Sequence, residues 1–387
     1  DPATNEIYTL SLHDALPIFG LLIYNPYTGH IHACKHPNIS KIIDWLNLET
    51  VTSPGLEFEK TIGAGWFISM EKAEYSLPHI IPNSVDLWKV RPYSNNPIII
   101  NWLITGNCSL RCKYCYAEDL MRGKIAEPKN EDITKICENI LSFNPLVVVI
   151  TGGDPLCSKN LETVITMLYG KTGLIIDTSG FKFTDNHMNL FKKYNVCVRI
   201  SIDSEIEIKN SSLRPSIYKK DKSSLSFAIK LLEGCLKNKI TVSIQTVVTR
   251  INQSDLLAFG DKLFKLGVKS WRLMLIAPSE FNMENYRELT GNKNSKERFT
   301  KHLVSMINTR YTKYWNKNMS VSITKNDIPN ALILVSPDGT FLTETNISSE
   351  KRKKFPIDAN NPHLPSIENL RKIVNMQGHA DRYLNTL

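Results

Sequence analysis

The stretch Asn101 to Tyr116, NWLITGNCSLRCKYCY, decides how this chain is read. An apolar run from Ile98 to Ile104 leads into it and reads as a buried strand. Thr105-Gly106-Asn107 break the run, and Cys108, Cys112 and Cys115 follow with the spacing C-x3-C-x2-C. Three thiolates on one short loop can converge on a single inorganic centre. Iron–sulfur clusters are held by cysteine thiolates, usually four, so three ligands for four irons leave one iron to bind something else. Ser109, Arg111 and Lys113 are polar, so the loop has little with which to fill a core. A structural zinc site would need a fourth ligand, typically in a second paired knuckle. His187 or Cys157 could supply one ligand, but the sequence has no second knuckle.

With Tyr114 just before the third cysteine and a strand just before the first, the stretch resembles the radical S-adenosylmethionine (SAM) superfamily. The resemblance implies a [4Fe-4S] cluster on Cys108, Cys112 and Cys115, with its open iron chelated by the amino and carboxylate groups of SAM. It further implies reductive cleavage of SAM to methionine and a 5′-deoxyadenosyl radical that abstracts hydrogen from a substrate. An electron donor such as flavodoxin or ferredoxin would then be a partner. Tyr114 belongs to the cofactor-binding set that the resemblance implies.

The 387 residues suffice for one large domain or two to three smaller ones, and a hydrophobic share of 42% allows a substantial core. The net charge is +9, partly local in Lys219–Lys222 (KKDK) and Ser348–Lys354 (SSEKRKK). No basic stripe with interleaved aromatics stands out, so nucleic acid is a poor fit as partner, and an acidic peptide suits the charge as well. Outside the loop, Cys137, Cys197 and Cys235 fall in apolar patterns and read as buried thiols. The cysteine count is too low for a disulfide scaffold. A reducing cytoplasm is expected, and no apolar run approaches a membrane span.

Tyr8 to Ile18, YTLSLHDALPI, resembles a translated sequencing-library adapter. Residues 1–18 are therefore set aside from fold reasoning, with the true N-terminus expected to be missing. Residues 19–95 read as a small α+β module and linker. Gly20–Tyr24 and His30–Cys34 make a hairpin about an Asn25–Gly29 turn, Ile39–Leu48 an amphipathic helix, and Gly65–Ile68 a strand. The module is similar to the peptide-binding modules that precede peptide-modifying members of the superfamily. His30, His32 and His36 suit either a metal or a solvated hairpin face. Leu77–Pro97, with four prolines, reads as a linker.

From Ile98, strands alternate with helices. The predicted strands are Ile98–Ile104, Leu146–Thr151, Leu174–Thr178, Val196–Ile202, Thr241–Val248 and Ser270–Ile276, with Met319–Thr324 as a further candidate. The predicted helices are Asn130–Ser142, Asn160–Tyr169, Asp185–Tyr194, Ser223–Leu236 and Gln253–Leu266. This is an α/β pattern with a parallel sheet and right-handed crossovers. It suits the superfamily's partial (β/α)6 TIM-like barrel, expected over residues 96–290, where a complete barrel would want eight strands.

Sites in such barrels gather at the strand ends. The second strand ends in Thr151-Gly152-Gly153-Asp154-Pro155, which resembles the superfamily's G-G-E-P motif with Asp for Glu. By that resemblance the glycine carbonyls and Asp154 accept hydrogen bonds from the SAM ammonium group. The same residues are good turn chemistry anywhere. Asp177-Thr178-Ser179-Gly180 looks like the third-strand motif. Ser201 and Asp203 share one face of the fourth strand and by resemblance contact SAM or substrate. Arg214 stands where relatives place an arginine on the SAM carboxylate, a task suited to a guanidinium fork; a solvated loop arginine is the alternative. The fifth strand offers Gln245 and Thr246, followed by Thr249 and Asn252. Arg272 on the sixth can either hold an anionic substrate group or snorkel to the surface.

Residues 291–387 depart from the best-known maturases. Ile333–Thr343 resembles the hairpin that opens their auxiliary-cluster domain, but Glu344 stands where their cysteine follows and no cysteine occurs after Cys235. A cluster-free auxiliary domain or a coincidental hairpin are both open. The favoured substrate is a peptide or protein side chain, the second a small metabolite or nucleotide. From another class, a zinc-stapled nucleic-acid-binding protein would use the positive charge.

Overall fold

The computed structural model describes residues 21–25, 29–34, 89–92, 96–121, 125–218, 223–276, 283–291, 293–315, 319–324, 330–343, 368–370, 374–376 and 379. The expected adapter segment, the 39–48 helix, the 65–68 strand, His36 and the basic run 348–354 lie outside the described residues.

Among the described residues, twelve strands form two sheets. Strands β1 (Leu21–Asn25), β2 (His30–Cys34) and β3 (Lys89–Pro92) make an antiparallel sheet in the order β2-β1-β3. The hairpin is the expected one. Strand β3, however, lies inside the stretch expected to be linker, and its residues pair with Leu21–Tyr24.

The larger sheet contains β4 (Ile99–Leu103), β5 (Val147–Thr151), β6 (Gly173–Thr178), β7 (Cys197–Ser201), β8 (Val242–Val248) and β9 (Ser270–Leu275). To these are added β10 (Ser320–Thr324), β11 (Ile333–Val335) and β12 (Phe341–Thr343). The order is β10-β9-β8-β7-β6-β5-β4-β11-β12, and every pairing but the last is parallel. The sheet has two free ends, so the barrel is partial. The candidate strand at Met319–Thr324 is real and extends one edge. The hairpin at Ile333–Thr343 is formed, and β11 joins the barrel sheet beside the strand that feeds the cysteine loop, with Leu334 in register with Asn101; residues 344–367 lie outside the described residues.

Helices α1 (Asn130–Ser142), α2 (Leu161–Leu168), α3 (Asp185–Lys193), α5 (Ser224–Lys237) and α6 (Leu256–Lys265) follow the expected pattern. Short α4 (Glu207–Leu213) and the later α7 (Met283–Thr290) and α8 (Lys293–Lys313) were not expected. Period-two alternation sorts the strand residues into two layers. Ile100, Trp102, Ile150, Ile176, Ile200, Ile244 and Trp271 pack with the helices in the main core. Ile99, Val147, Val149, Ile175 and Cys197 face the lumen and pack against Leu22, Tyr24 and Ile31 of the hairpin. The hairpin is thus an apolar plug for one end of the barrel, and the Tyr24 hydroxyl donates to the Leu174 carbonyl at 3.3 Å.

The far tail also touches the barrel. His379 is fully buried; its Nε2 accepts from the Ile98 and Ile99 amides at 3.0 and 3.2 Å, and its Nδ1 lies 2.7 Å from the Ala331 carbonyl oxygen. Those amides precede or open β4, so the histidine serves donors that a strand end would otherwise leave unmet. Among the described residues no helix is long and apolar enough to cross a membrane.

Candidate active site

Cys108, Cys112 and Cys115 leave the end of β4 and line one cavity with Gly152, Gly153 and Arg214. All three are free, half-buried thiols. A strap after α4 holds their loop in antiparallel fashion, with a bridge between Leu110 and Ser216. The Arg111 amide donates to the Pro215 carbonyl at 2.8 Å, Lys113 to Leu213 at 3.0 Å, and Ile217 to Ser109 at 2.9 Å. On the other side α7 covers the loop: Asn285 donates to the Lys113 carbonyl at 3.1 Å, and Lys113 pairs with Glu288 at 3.2 Å. Beyond the third cysteine, Cys115 and Tyr116 pack on Leu334 and Leu342 of the β11–β12 hairpin.

The Gly152-Gly153 pair has a structural reason as well as the expected ligand-facing one. Gly152 has φ +143°, and a Cβ there would stand 2.5 Å from the Thr105 carbonyl oxygen. A Cβ on Gly153 would stand 2.2 Å from the Asn107 oxygen and 3.0 Å from Cys108 Cβ. The pair therefore lets the β5 loop lie directly on the cysteine loop, joined by bonds from the Gly153 amide to Thr105 and from the Asp154 amide to Asn107, both 2.8 Å.

Asp154 is placed differently from its expected role. It is 2% exposed, and it is absent from the residues that line the cavity. Its Oδ1 accepts from the Thr178 hydroxyl at 2.7 Å and the Leu156 amide at 3.1 Å; its Oδ2 accepts from the Ser179 amide at 2.9 Å and from the Ser179 hydroxyl. Four donors use the carboxylate's acceptor capacity. Its work is to tie the β5 loop to the β6 loop, and Pro155 opens the short turn behind it.

Asp203 is also behind the wall, with no exposure. It accepts from the Tyr114 hydroxyl and from the Val247 amide at 2.8 Å, and lies 3.7 Å from Arg214 Nη1. Arg214 donates to the Tyr114 hydroxyl at 2.7 Å and itself lines the cavity, so it is not a solvated loop arginine. Asn210 and Asn252 finish the network, the first accepting from the Asp203 amide at 3.0 Å, the second donating to its carbonyl at 2.6 Å. Burial pushes the Asp203 carboxyl up while Arg214 pulls it down. Burial works against the Arg214 charge, but Cys112, Tyr114 and Asp203 outweigh it and raise its pKa.

The donor set fits an iron–sulfur cluster. Burial raises all three thiols, Cys115 to about 12, and Arg214 partly offsets this at Cys112 and Cys115. Thiolates so deeply desolvated need a cation to hold them ionised. Among the described residues no three His, Cys, Asp or Glu side chains are grouped to hold a single metal ion. Thiols that each reach a different iron suit this spread better than thiols around one zinc ion.

The cavity that the thiols line is mixed, with Met121, Met274, Ile276 and Leu332 beside polar side chains. Asn101, Asp177, Arg199, Ser201, Gln245 and Arg272 all line the same cavity. Arg199 makes a fork with Asp177, in register on the next strand, with Nη2 2.8 Å from Oδ2. Arg272 faces the lumen because its neighbours Trp271 and Leu273 lie in the helix-side core. Neither Asp177 nor Arg199 stood out as a pair in the sequence, because their pairing depends on register. Thr246, Thr249 and Asn252 serve the scaffold: the Thr246 hydroxyl donates to the Ile202 carbonyl at 2.6 Å and the Thr249 hydroxyl to Asn252 at 3.0 Å.

The family model described as the radical SAM superfamily matches residues 102–206. An S-adenosylmethionine-dependent nucleotide dehydratase of Lacinutrix mariniflava is 25% identical over 62% of this chain, and the chain spans about half (49%) of that relative's length. A protein of the same name from a Fibrobacter species is 25% identical over 62% of this chain and 76% of its own. The solved structure of native anSMEcpe with bound AdoMet and Cp18Cys peptide matches 72% of this chain and 80% of that chain, with 14% identity and a TM-score of 0.56. At that identity the likeness concerns the fold.

Proposed function

The chain is a radical SAM superfamily enzyme, and from that premise we propose that it acts on a small molecule held inside the barrel. When bound, the cluster supplies an electron and SAM the adenosyl group with which hydrogen is taken from the substrate. Cys108, Cys112 and Cys115 hold the cluster. The Gly152 and Gly153 backbone, with Arg214 and Ser201 on the cavity wall, hold SAM. Asp154 and Asp203 keep those groups in place from behind, and Tyr114, itself on the cavity wall, joins Asp203 to Arg214.

The observation that carries the substrate reading is the shape of the lumen. The hairpin packs on one end of the barrel through Leu22, Tyr24 and Ile31, and polar side chains from several strands converge on the cavity that the thiols share. A pocket within the barrel, apolar in part and carrying a few convergent polar groups, suits a small molecule. The two nucleotide dehydratases among the relatives are in keeping with that class. The second reading is a peptide or protein side chain, which the fold likeness to a peptide-bound structure keeps in view.

The test is anaerobic reconstitution followed by measurement of 5′-deoxyadenosine under reducing conditions. A panel of nucleotides and small acids should raise its yield and a panel of peptides should not. Stimulation by peptides alone would overturn the substrate reading. SAM cleavage by a variant with all three cysteines replaced by Ala would overturn the whole assignment.

A further inference from the structure

Two guanidinium groups enter the lumen below the cysteine loop from different strands. Arg199, 6% exposed, is held on β7 by the Asp177 fork. Arg272 enters from β9, and β8 between them places Gln245 in register with both Ser201 and Arg272. Each of these side chains lines the cavity. Two further arginines line the cavity: Arg111 donates to the carbonyls of Cys108 and Leu110 at 3.0 and 2.8 Å, and Arg214 to Tyr114. The lining carboxylates are Glu118, on the turn after the third cysteine, and Asp177.

We propose that Arg272, flanked by Gln245 and the Arg199–Asp177 pair, is an oxyanion subsite that anchors a phosphate or carboxylate group of the substrate. The inference rests on the reading that the substrate lies in the lumen. An anion carried into the barrel loses much of its hydration and needs charged donors in return. A guanidinium answers with two parallel N–H groups that match either oxyanion. Asp177 contributes by holding Arg199 in one orientation, so little side-chain freedom is lost when a ligand arrives. The Gln245 amide and the Asp177 carboxylate offer both donor and acceptor to the remainder of a polar substrate. Arg272 and the thiols line the same cavity, so a substrate anchored on Arg272 shares that cavity with the cofactors.

The test uses the full chain, reconstituted anaerobically, with SAM present. Equilibrium dialysis measures binding of uridine 5′-monophosphate, uridine and malonate. The phosphate and carboxylate sources are told apart by which anionic probe binds. At least one should bind, and uridine should bind about tenfold or more weakly than the anion that does (~1.4 kcal/mol). Arg272→Gln should weaken the anionic probe by at least about tenfold, with Arg272→Lys losing less, while iron content and SAM affinity stay as in the parent. If Arg272→Gln does not hold its cluster, Gln245→Leu carries the comparison, with a loss of about fivefold or more expected. Equal binding of uridine and the anions, no binding of either anion, or unchanged affinity in the variants would overturn the subsite. Failure of the parent to bind SAM would instead count against the proposed function.

Discussion

Arg214 and Tyr114, 100 positions apart in the sequence, meet at 2.7 Å, guanidinium to hydroxyl, directly beside the second and third cysteines. The same hydroxyl donates to Asp203, whose other oxygen takes the Val247 amide. The aromatic residue inside the cysteine motif is thereby fixed to the ends of β7 and β8. Its ring also packs with Leu213, Ile276 and Leu289. The cysteine loop is set by strands it does not follow in the chain.

Tyr114→Phe should keep that ring contact and remove only the hydroxyl. Asp203, with no exposure, would lose one donor and Arg214 one acceptor. The expected cost is about 1–3 kcal/mol of stability, since a buried group left unpaired pays its desolvation. The variant should still take up about four irons, because no ligand is touched. Urea unfolding and iron analysis check both halves, and a Phe variant as stable as the parent would remove the network's structural role.

The thiols make the apo protein sensitive to alkali. An unfolded cysteine ionises near pH 8.5, about the ordinary value, whereas burial keeps Cys108, Cys112 and Cys115 protonated well above it. A group with a raised folded pKa contributes its stability in full below the unfolded value and loses it as pH rises towards the folded one. Apo-protein stability should therefore fall above about pH 8.5, by up to ~1.4 kcal/mol per pH unit for each such thiol. Replacing the three cysteines by Ala should make the fall shallower, although Cys137, Cys197 and Cys235, also raised, will keep part of it. An identical slope in the variant would show that the loop thiols are not the cause. The same variant should lose all iron–sulfur absorbance.

Most of the barrel could be read directly because each element carries its own periodicity. The six strands and five helices from Ile98 to Ile276 show alternation or a single apolar face, and the structure moves their ends by only a few residues. What escaped depends on distant chain. Strand β3 hides in a proline-rich stretch because an edge strand tolerates proline. His379 looks like a polar tail residue until the fold brings the Ile98 and Ile99 amides to it. The Asp177–Arg199 fork follows from register between neighbouring strands, which a linear reading does not supply. Asp154 was legible as a motif residue, but its four donors come largely from the next strand's loop, so its direction was not.

Asp154→Asn should therefore act first on the fold. An amide NH2 would replace one oxygen that now accepts N–H or O–H donors, setting donor against donor in a site 2% exposed. A loss of about 1.5–3 kcal/mol is expected. Asp154→Glu should also destabilise, by about 1–3 kcal/mol, because the longer side chain overfills the space between the two loops. If Glu were fully tolerated while Asn lost SAM binding without losing stability, the carboxylate would be acting on SAM itself. Unfolding curves measured beside SAM titrations separate the two outcomes.

The hairpin gives the last prediction. Gly173 lies against the Tyr24 ring: a Cβ there would stand 2.5 Å from Cδ1 and 2.7 Å from Cε1. Glycine is needed at that point because an aromatic wedge fills the space between the strand and the plug. Behind the wedge lie Ile99, Val147, Val149, Ile175 and Cys197, all 3% exposed or less. Removing residues 1–92 would open this layer to water, and each aliphatic side chain so exposed costs about 1.5–3 kcal/mol. Several together exceed the usual net stability of a domain, about 5–15 kcal/mol. The truncated chain should therefore aggregate or bind SAM only weakly, through loss of the fold. Tyr24→Ala should cost about 3–5 kcal/mol as a buried aromatic deletion, and Gly173→Ala about 1–3 kcal/mol by overpacking. If the truncated chain folds with the parent's melting temperature, the hairpin is an appendage and the lumen is open at both ends.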